Sequence, residues 1–147
     1  MFSPKTTGEP KADAVLRDNM EYQRAVVEAI ETQDAKSDAV VFYSKDSALL
    51  GTVEWVSGFI QDGTTVTGTV HYYNRRVAFS DDGSAGLTYC ADESKGYTKD
   101  RKTKKVNVTP ATEKSFVFYN DRMRKSSTGV WQVTRSYSER GSKVCQP

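Results

Sequence analysis

His71 is the only histidine in the chain, so any proton relay built on imidazole must run through it. It lies in a run rich in threonine, valine and tyrosine, residues 64–73, where strand alternation sets it opposite Val70 and Tyr72. A packed or exposed structural histidine is the expected reading. The sequence contains no Gly-x-Ser-x-Gly elbow, no phosphate-cradling P-loop and no His-Glu-x-x-His pair. Cys90 and Cys145 are far apart, and with a single histidine beside them they cannot complete a four-ligand zinc site. They are either two free thiols or one disulfide. An even count, with one cysteine in a strand-like run and the other near the C-terminus, favours a bridge, which would leave no thiolate nucleophile. Asp81 and Asp82 precede Gly83 and read as turn chemistry, while Asp92 and Glu93 follow the strand bearing Cys90. Acid–base work by either pair would require a carboxyl buried beside a substrate. No catalytic residue, metal ligand or cofactor is assigned from the sequence.

The elements that must position these groups fall into a helical front and a strand-rich back. Residues 1–10, with two of the four prolines and Gly8, read as a flexible lead-in. One domain is expected over residues 11–147. Residues 11–33 carry a helical stripe of Leu16, Met20, Val27 and Ile30, broadened by Val15, Tyr22 and Val26. Ser37 and Asp38 can N-cap a short helix through Tyr43. Asp46 and Ser47 open a third helix, with Leu49, Val53, Val56 and Ile60 on its apolar face and Gly63 placed to end it. Strand character then covers residues 64–73 and resumes at 76–79, either as a continuation or after a bulge near Asn74. A hairpin turn at 80–84 leads to a strand over 85–92, and a long polar connection over 93–110 precedes a strand within 114–125. The last strand, residues 130–139, alternates so that Trp131, Val133 and Tyr137 share a face. The fold class is α+β, with N-terminal helices packed on a bent antiparallel sheet. In that meander Cys90 and Cys145 fall at one edge, and the tail 140–144 can cross the intervening strand. A bridge there would contribute about 4 kcal/mol in the chain-entropy account.

Such a bridge implies an oxidising compartment, extracellular or attached to the cell envelope. The chain opens Met1-Phe2-Ser3-Pro4-Lys5 straight into polar sequence, so a targeting segment is expected to be missing from it. Apolar runs such as residues 39–43 fall far below the roughly 18–20 residues of a membrane-spanning helix. Among 147 residues the net charge is only +2, which does not make nucleic acid the default partner. That balance hides an asymmetry: residues 1–73 hold six bases against eleven acids, residues 74–147 fifteen against eight. Lys95, Lys99, Arg101, Lys102, Lys104 and Lys105 crowd the polar connection and form a candidate surface for an anionic partner. Tyr97 is the lone aromatic among them, which gives little support for base stacking. Asn107-Val108-Thr109 fits a glycosylation sequon. Trp55, Phe59, Tyr72, Tyr89, Phe118 and Trp131 are expected to converge between the third helix and the sheet, as core or as the lining of a small apolar cavity.

Helices in the concave face of a bent antiparallel sheet are the plan of the nuclear transport factor 2-like, or cystatin-like, superfamily. Within it the chain resembles small secreted proteins and lipoproteins of actinobacteria, through Thr67-Gly68, Tyr89-Cys90-Ala91-Asp92-Glu93-Ser94, and Gly129-Val130-Trp131-Gln132-Val133 leading to Cys145. The likeness covers residues 12–146. It implies a Cys-to-Cys bridge and a place outside the cytoplasm, and it carries no shared activity. Ketosteroid isomerase-like and polyketide cyclase-like enzymes of the superfamily place an acid or base within the cone, and no motif of theirs is matched here. The expectation is a non-catalytic domain that binds another protein. The alternative is a small apolar ligand-binding protein, or an isomerase- or cyclase-type enzyme, using a pocket between helices and sheet.

Overall fold

The computed structural model describes residues 9–147. Helix α1 (Pro10–Thr32) begins on a proline at its first position, where the missing N–H would have no intrahelical partner. The proposed lead-in therefore ends earlier than residue 10, and its residues 1–8 lie outside the described residues. At its other end Gln33 adopts a left-handed conformation, and the last turn closes through backbone bonds to Ala29 and Ile30. Helix α2 (Asp38–Tyr43) is capped by Ser37, whose side chain accepts from the Val40 N–H. Helix α3 (Asp46–Asp62) stops at Gly63, with φ of 68°.

Four strands form one antiparallel sheet in the order β1 (Thr64–Phe79), β2 (Ala85–Asp100), β4 (Phe116–Lys125), β5 (Trp131–Arg140), and the short β3 (Val106–Asn107) pairs with the far end of β2. The helices fill the concave side. Val15 and Ile30 of α1, Val56 of α3, Leu87, Met123 and Val133 are essentially inaccessible to solvent. Trp131 closes one end of this core against Phe79, at 6.0 Å between rings. The buried carboxylate of Asp18 accepts the Trp131 backbone N–H at 2.9 Å and so fixes α1 to the start of β5.

Strand β2 continues to Asp100, eight residues beyond its expected end, so Lys95 and Lys99 are strand residues and not loop residues. This arm of β2, residues 93–100, carries no apolar alternation, and its residues are half-buried apart from the exposed Lys95. Its register comes instead from β1, with Thr69 opposite Lys95 and Thr65 opposite Lys99.

The regular pairing breaks in three places. On β1, Asn74 and Arg75 together face Tyr89, a bulge within one continuous strand, so both alternatives for residues 64–79 hold in part. On β2, Glu93 and Ser94 face Val70, and Asp92 holds the irregularity by accepting the Ser94 N–H at 2.9 Å. On β5, Thr134 is the extra residue between the Arg122–Arg135 and Met123–Val133 pairs. This last bulge reverses the alternation. Tyr137, expected beside Trp131 and Val133, points outward and is 58% exposed.

Cys90 and Cys145 are joined in a disulfide. Cys90 lies on the convex face, and the chain beyond β5 crosses the start of β4 to reach it. Gly141 N–H bonds to Phe116 O at 2.8 Å, and the Tyr73 hydroxyl donates to the carbonyl of Cys145.

Candidate functional site

A cleft of about 870 Å³ opens between α1, α3 and the concave face of the sheet. That volume is within the roughly 300–1,000 Å³ typical of small-molecule sites. Its apolar walls come from Val26, Val27 and Ile30 of α1 and from Trp55 of α3. Its floor is aromatic. Tyr89 stacks on Tyr119 at 5.1 Å and meets Tyr72 edge-on at 5.8 Å.

Polar groups converge on this floor in two sets. In the deeper one, the fully enclosed Asp121 accepts from Asn19 Nδ2 at 3.0 Å, Tyr89 Oη at 2.9 Å and Ser136 Oγ at 2.6 Å. Tyr89 Oη also accepts from Gln23 Nε2 at 2.8 Å. Burial raises the Asp121 pKa, outweighing the hydrogen bonds from Ser136, Asn19 and Tyr89 that favour its carboxylate. Burial, reinforced by the Asp121 charge, also drives the Tyr89 hydroxyl well above its ordinary value. In the outer set, Tyr119 Oη donates to Glu93 Oε2 at 3.0 Å, and Arg140 Nη2 donates to Glu93 Oε1 at 2.9 Å. Arg140 is further held by Lys114 O at 3.0 Å. Burial raises the Tyr119 pKa, with the Glu93 charge adding to it, so this hydroxyl keeps its proton at neutral pH. On the helical side Tyr22 Oη and Thr52 Oγ1 share a bond of 2.7 Å, and burial pushes the Tyr22 pKa up to about 12.

The floor thus holds neutral phenols whose protons point at carboxylates. Asp121 lies behind Tyr89 and has no exposed surface, so it acts on the cleft by orienting the Tyr89 ring and the Ser136 hydroxyl. Glu31 and Glu93 are the carboxylates lining the cleft among the described residues. Among the described residues there is also no cluster of three or more His, Cys, Asp or Glu able to hold a metal ion, and no helix is long and apolar enough to cross a membrane.

Of the aromatics anticipated here, Trp55, Tyr72 and Tyr89 line the cleft. Phe59 packs on Trp55 at 5.2 Å without lining it. Phe118 pairs with Cys90 and shares the convex face, and Trp131 belongs to the closed end of the core. The basic residues also divide. Lys95, Lys102, Lys104 and Lys105 are exposed, and Lys99 is half-buried on β2. Arg101 instead reaches back to α1, where its guanidinium donates to the carbonyls of Ile30 and Glu31, completing a helix end that favours positive charge. His71 is exposed and stacks on Tyr73 at 5.7 Å, away from the cleft.

Sequence reasoning passes over Asp121, Asn19, Gln23, Ser136 and Arg140. Period-two reading of β4 offers one signal, since Val117, Tyr119, Asp121 and Met123 share a face. An acid in such a row is buried or at a site.

Helices in a bent sheet with an open concave end define the nuclear transport factor 2-like fold, and solved structures bear this out. The chain is similar to a ketosteroid isomerase-like protein from Erwinia carotovora atroseptica, with 19% identity, TM-score 0.59, and coverage of 91% of this chain and 98% of that one. Similar too is the protein Aln2 from a Streptomyces species, with 16% identity, TM-score 0.57, and coverage of 92% and 94%. The intermembrane space region of the chloroplast protein ARC6 matches at 14% identity and TM-score 0.58, over 93% and 99% of the two chains. No protein-family model and no curated protein matches the sequence.

Proposed function

We propose that this chain binds a small, largely apolar, ring-bearing molecule in the concave cleft, in the manner of the isomerase- and cyclase-type proteins that share its fold. The observation that carries this reading is the cleft itself: about 870 Å³ with an aromatic floor and a few convergent polar groups. Likeness to a ketosteroid isomerase-like protein supports it. Glu93, which lines the cleft and accepts from the Tyr119 hydroxyl and the Arg140 guanidinium, is the carboxylate on the floor that could move a proton on the bound molecule. The disulfide suits an oxidising compartment, consistent with a secreted or envelope-attached protein like those of actinobacteria that the sequence resembles.

The test is titration with N-phenyl-1-naphthylamine, an uncharged dye whose emission rises on leaving water. Binding with an emission gain is expected for the native chain. It should be lost in Gly51→Trp, because a side chain at Gly51 would project into open space at the cleft wall. Native circular dichroism of the variant would show that the fold is kept. Absence of dye uptake by the native chain would refute the reading.

A second reading, an acidic protein partner, is supported by the exposed side chains of Lys95, Lys102, Lys104 and Lys105. None of these is in an ion pair among the described residues.

A further inference from the structure

Arg75 is the inward-facing residue of the β1 bulge. Asn74 takes a left-handed backbone with φ of 54°, and the extra residue turns Arg75 toward the interior beside Tyr89. There it borders a hole of about 10 Å³ between α1 and β1, together with Asn19, Gln23, Tyr72 and Tyr89. Gln23, Tyr72 and Tyr89 also line the main cleft, so the hole adjoins the cleft across these three side chains. Its size admits about one water or one oxygen of a larger group.

Among the described residues Arg75 makes no hydrogen bond and no ion pair, although it is half-buried. Asp121, behind Tyr89, already accepts from Asn19, Tyr89 and Ser136. The arginine that lines the cleft, Arg140, is spent on Glu93 and Lys114 O. A partly desolvated cation without a counter-ion is unfavourable, and here it borders a hole that shares three side chains with the cleft. Burial lowers the Arg75 pKa, in keeping with a cation held away from water and left unpaired.

We infer that Arg75 is an anchoring residue for a carboxylate, so that the molecule taken up by the cleft is an apolar ring system bearing an acid group. One carboxylate oxygen would occupy the small hole and accept a charge-assisted bond from the guanidinium that borders it. This inference rests on the ligand-binding reading of the cleft and adds the charge of the ligand to it.

The experiment is isothermal titration of the native chain and of Arg75→Gln with 2-naphthoate and with 2-naphthamide, its uncharged twin. Because a charge-assisted bond is gained, the native chain is expected to bind naphthoate about tenfold or more tightly than naphthamide. In Arg75→Gln the two should bind alike, with naphthamide unchanged from the native chain. Equal binding of the pair by the native chain would overturn the inference, as would a naphthoate preference that survives in Arg75→Gln. So would failure of both naphthalenes where the uncharged dye still binds, and in each of these cases the cleft would remain a ligand site. Failure of the naphthalenes and the dye together would remove both readings.

Discussion

Asp121 concentrates the chemistry of this protein at one atom group. A carboxylate without solvent contact is held by donors from α1, β2 and β5, and it ties the three elements together under the floor of the cleft. Asp121→Asn offers one acceptor oxygen where two were used, so one of the three donors from Asn19, Tyr89 and Ser136 must turn or go unmet. It should cost about 1–3 kcal/mol, read as a lower urea midpoint. Because burial raises its folded-state pKa above 3.8, the folded protein binds this proton more readily than the unfolded chain. Asp121 therefore favours the native state more as pH falls toward 3.8. The gap between native and Asp121→Asn midpoints should accordingly be wider near pH 4 than at pH 7. Asp82 works the other way. Hydrogen bonds from the Ser84 side chain and backbone hold it at about 2, so its contribution is present above 3.8 and fades as pH falls through 2.

At the scale of elements, much of the architecture is legible in the sequence and much of the site is not, for one physical reason. Helix stripes and caps are local: Ser37 and Gly63 end up where their side chain, or lack of one, requires. Strand faces depend on an unbroken count of two, and each bulge resets the count. Arg75, Glu93 and the Ser136–Ser138–Arg140 row all follow or occupy a bulge, so the cleft is built where alternation ceases to inform. Tyr137 shows the cost, since the shift at Thr134 puts it on the face opposite to the one alternation predicts. The basic segment 93–100 reads as loop because pairing with β1, a long-range property, is what makes it a strand. Glycine positions test the same irregularity. Gly68 has φ of 87°, and a Cβ there would come within 2.1 Å of Lys95 O, so Gly68→Ala should cost at least about 2 kcal/mol. Gly51, in the middle of α3, meets nothing within 4 Å. Its replacement by alanine should stabilise the chain by about 0.5–1 kcal/mol in the same urea assay.

Taken whole, the molecule is a helical wedge in a curved sheet, closed at the Trp131 end and open where β1 and β2 run on past β4. What draws it together on the far side is the bridge from Cys90 to Cys145. Reduction should lower unfolding stability by about 4 kcal/mol, seen as a shift of the urea transition on adding dithiothreitol. Intact mass should rise by two hydrogens under the same treatment, and an unchanged mass would mean free thiols. Because the loop so closed contains β4 and β5 entire, the loss should affect the sheet as a whole more than the helices.

The same bridge fixes the direction in which the polypeptide leaves the body. Pro147 emerges two residues after Cys145, on the surface opposite the cleft. A bead, chip or carrier protein attached there would stand behind the sheet, and the concave mouth would face free solution. Attachment at Pro147 is thus the orientation in which ligand capture by these residues should be measured.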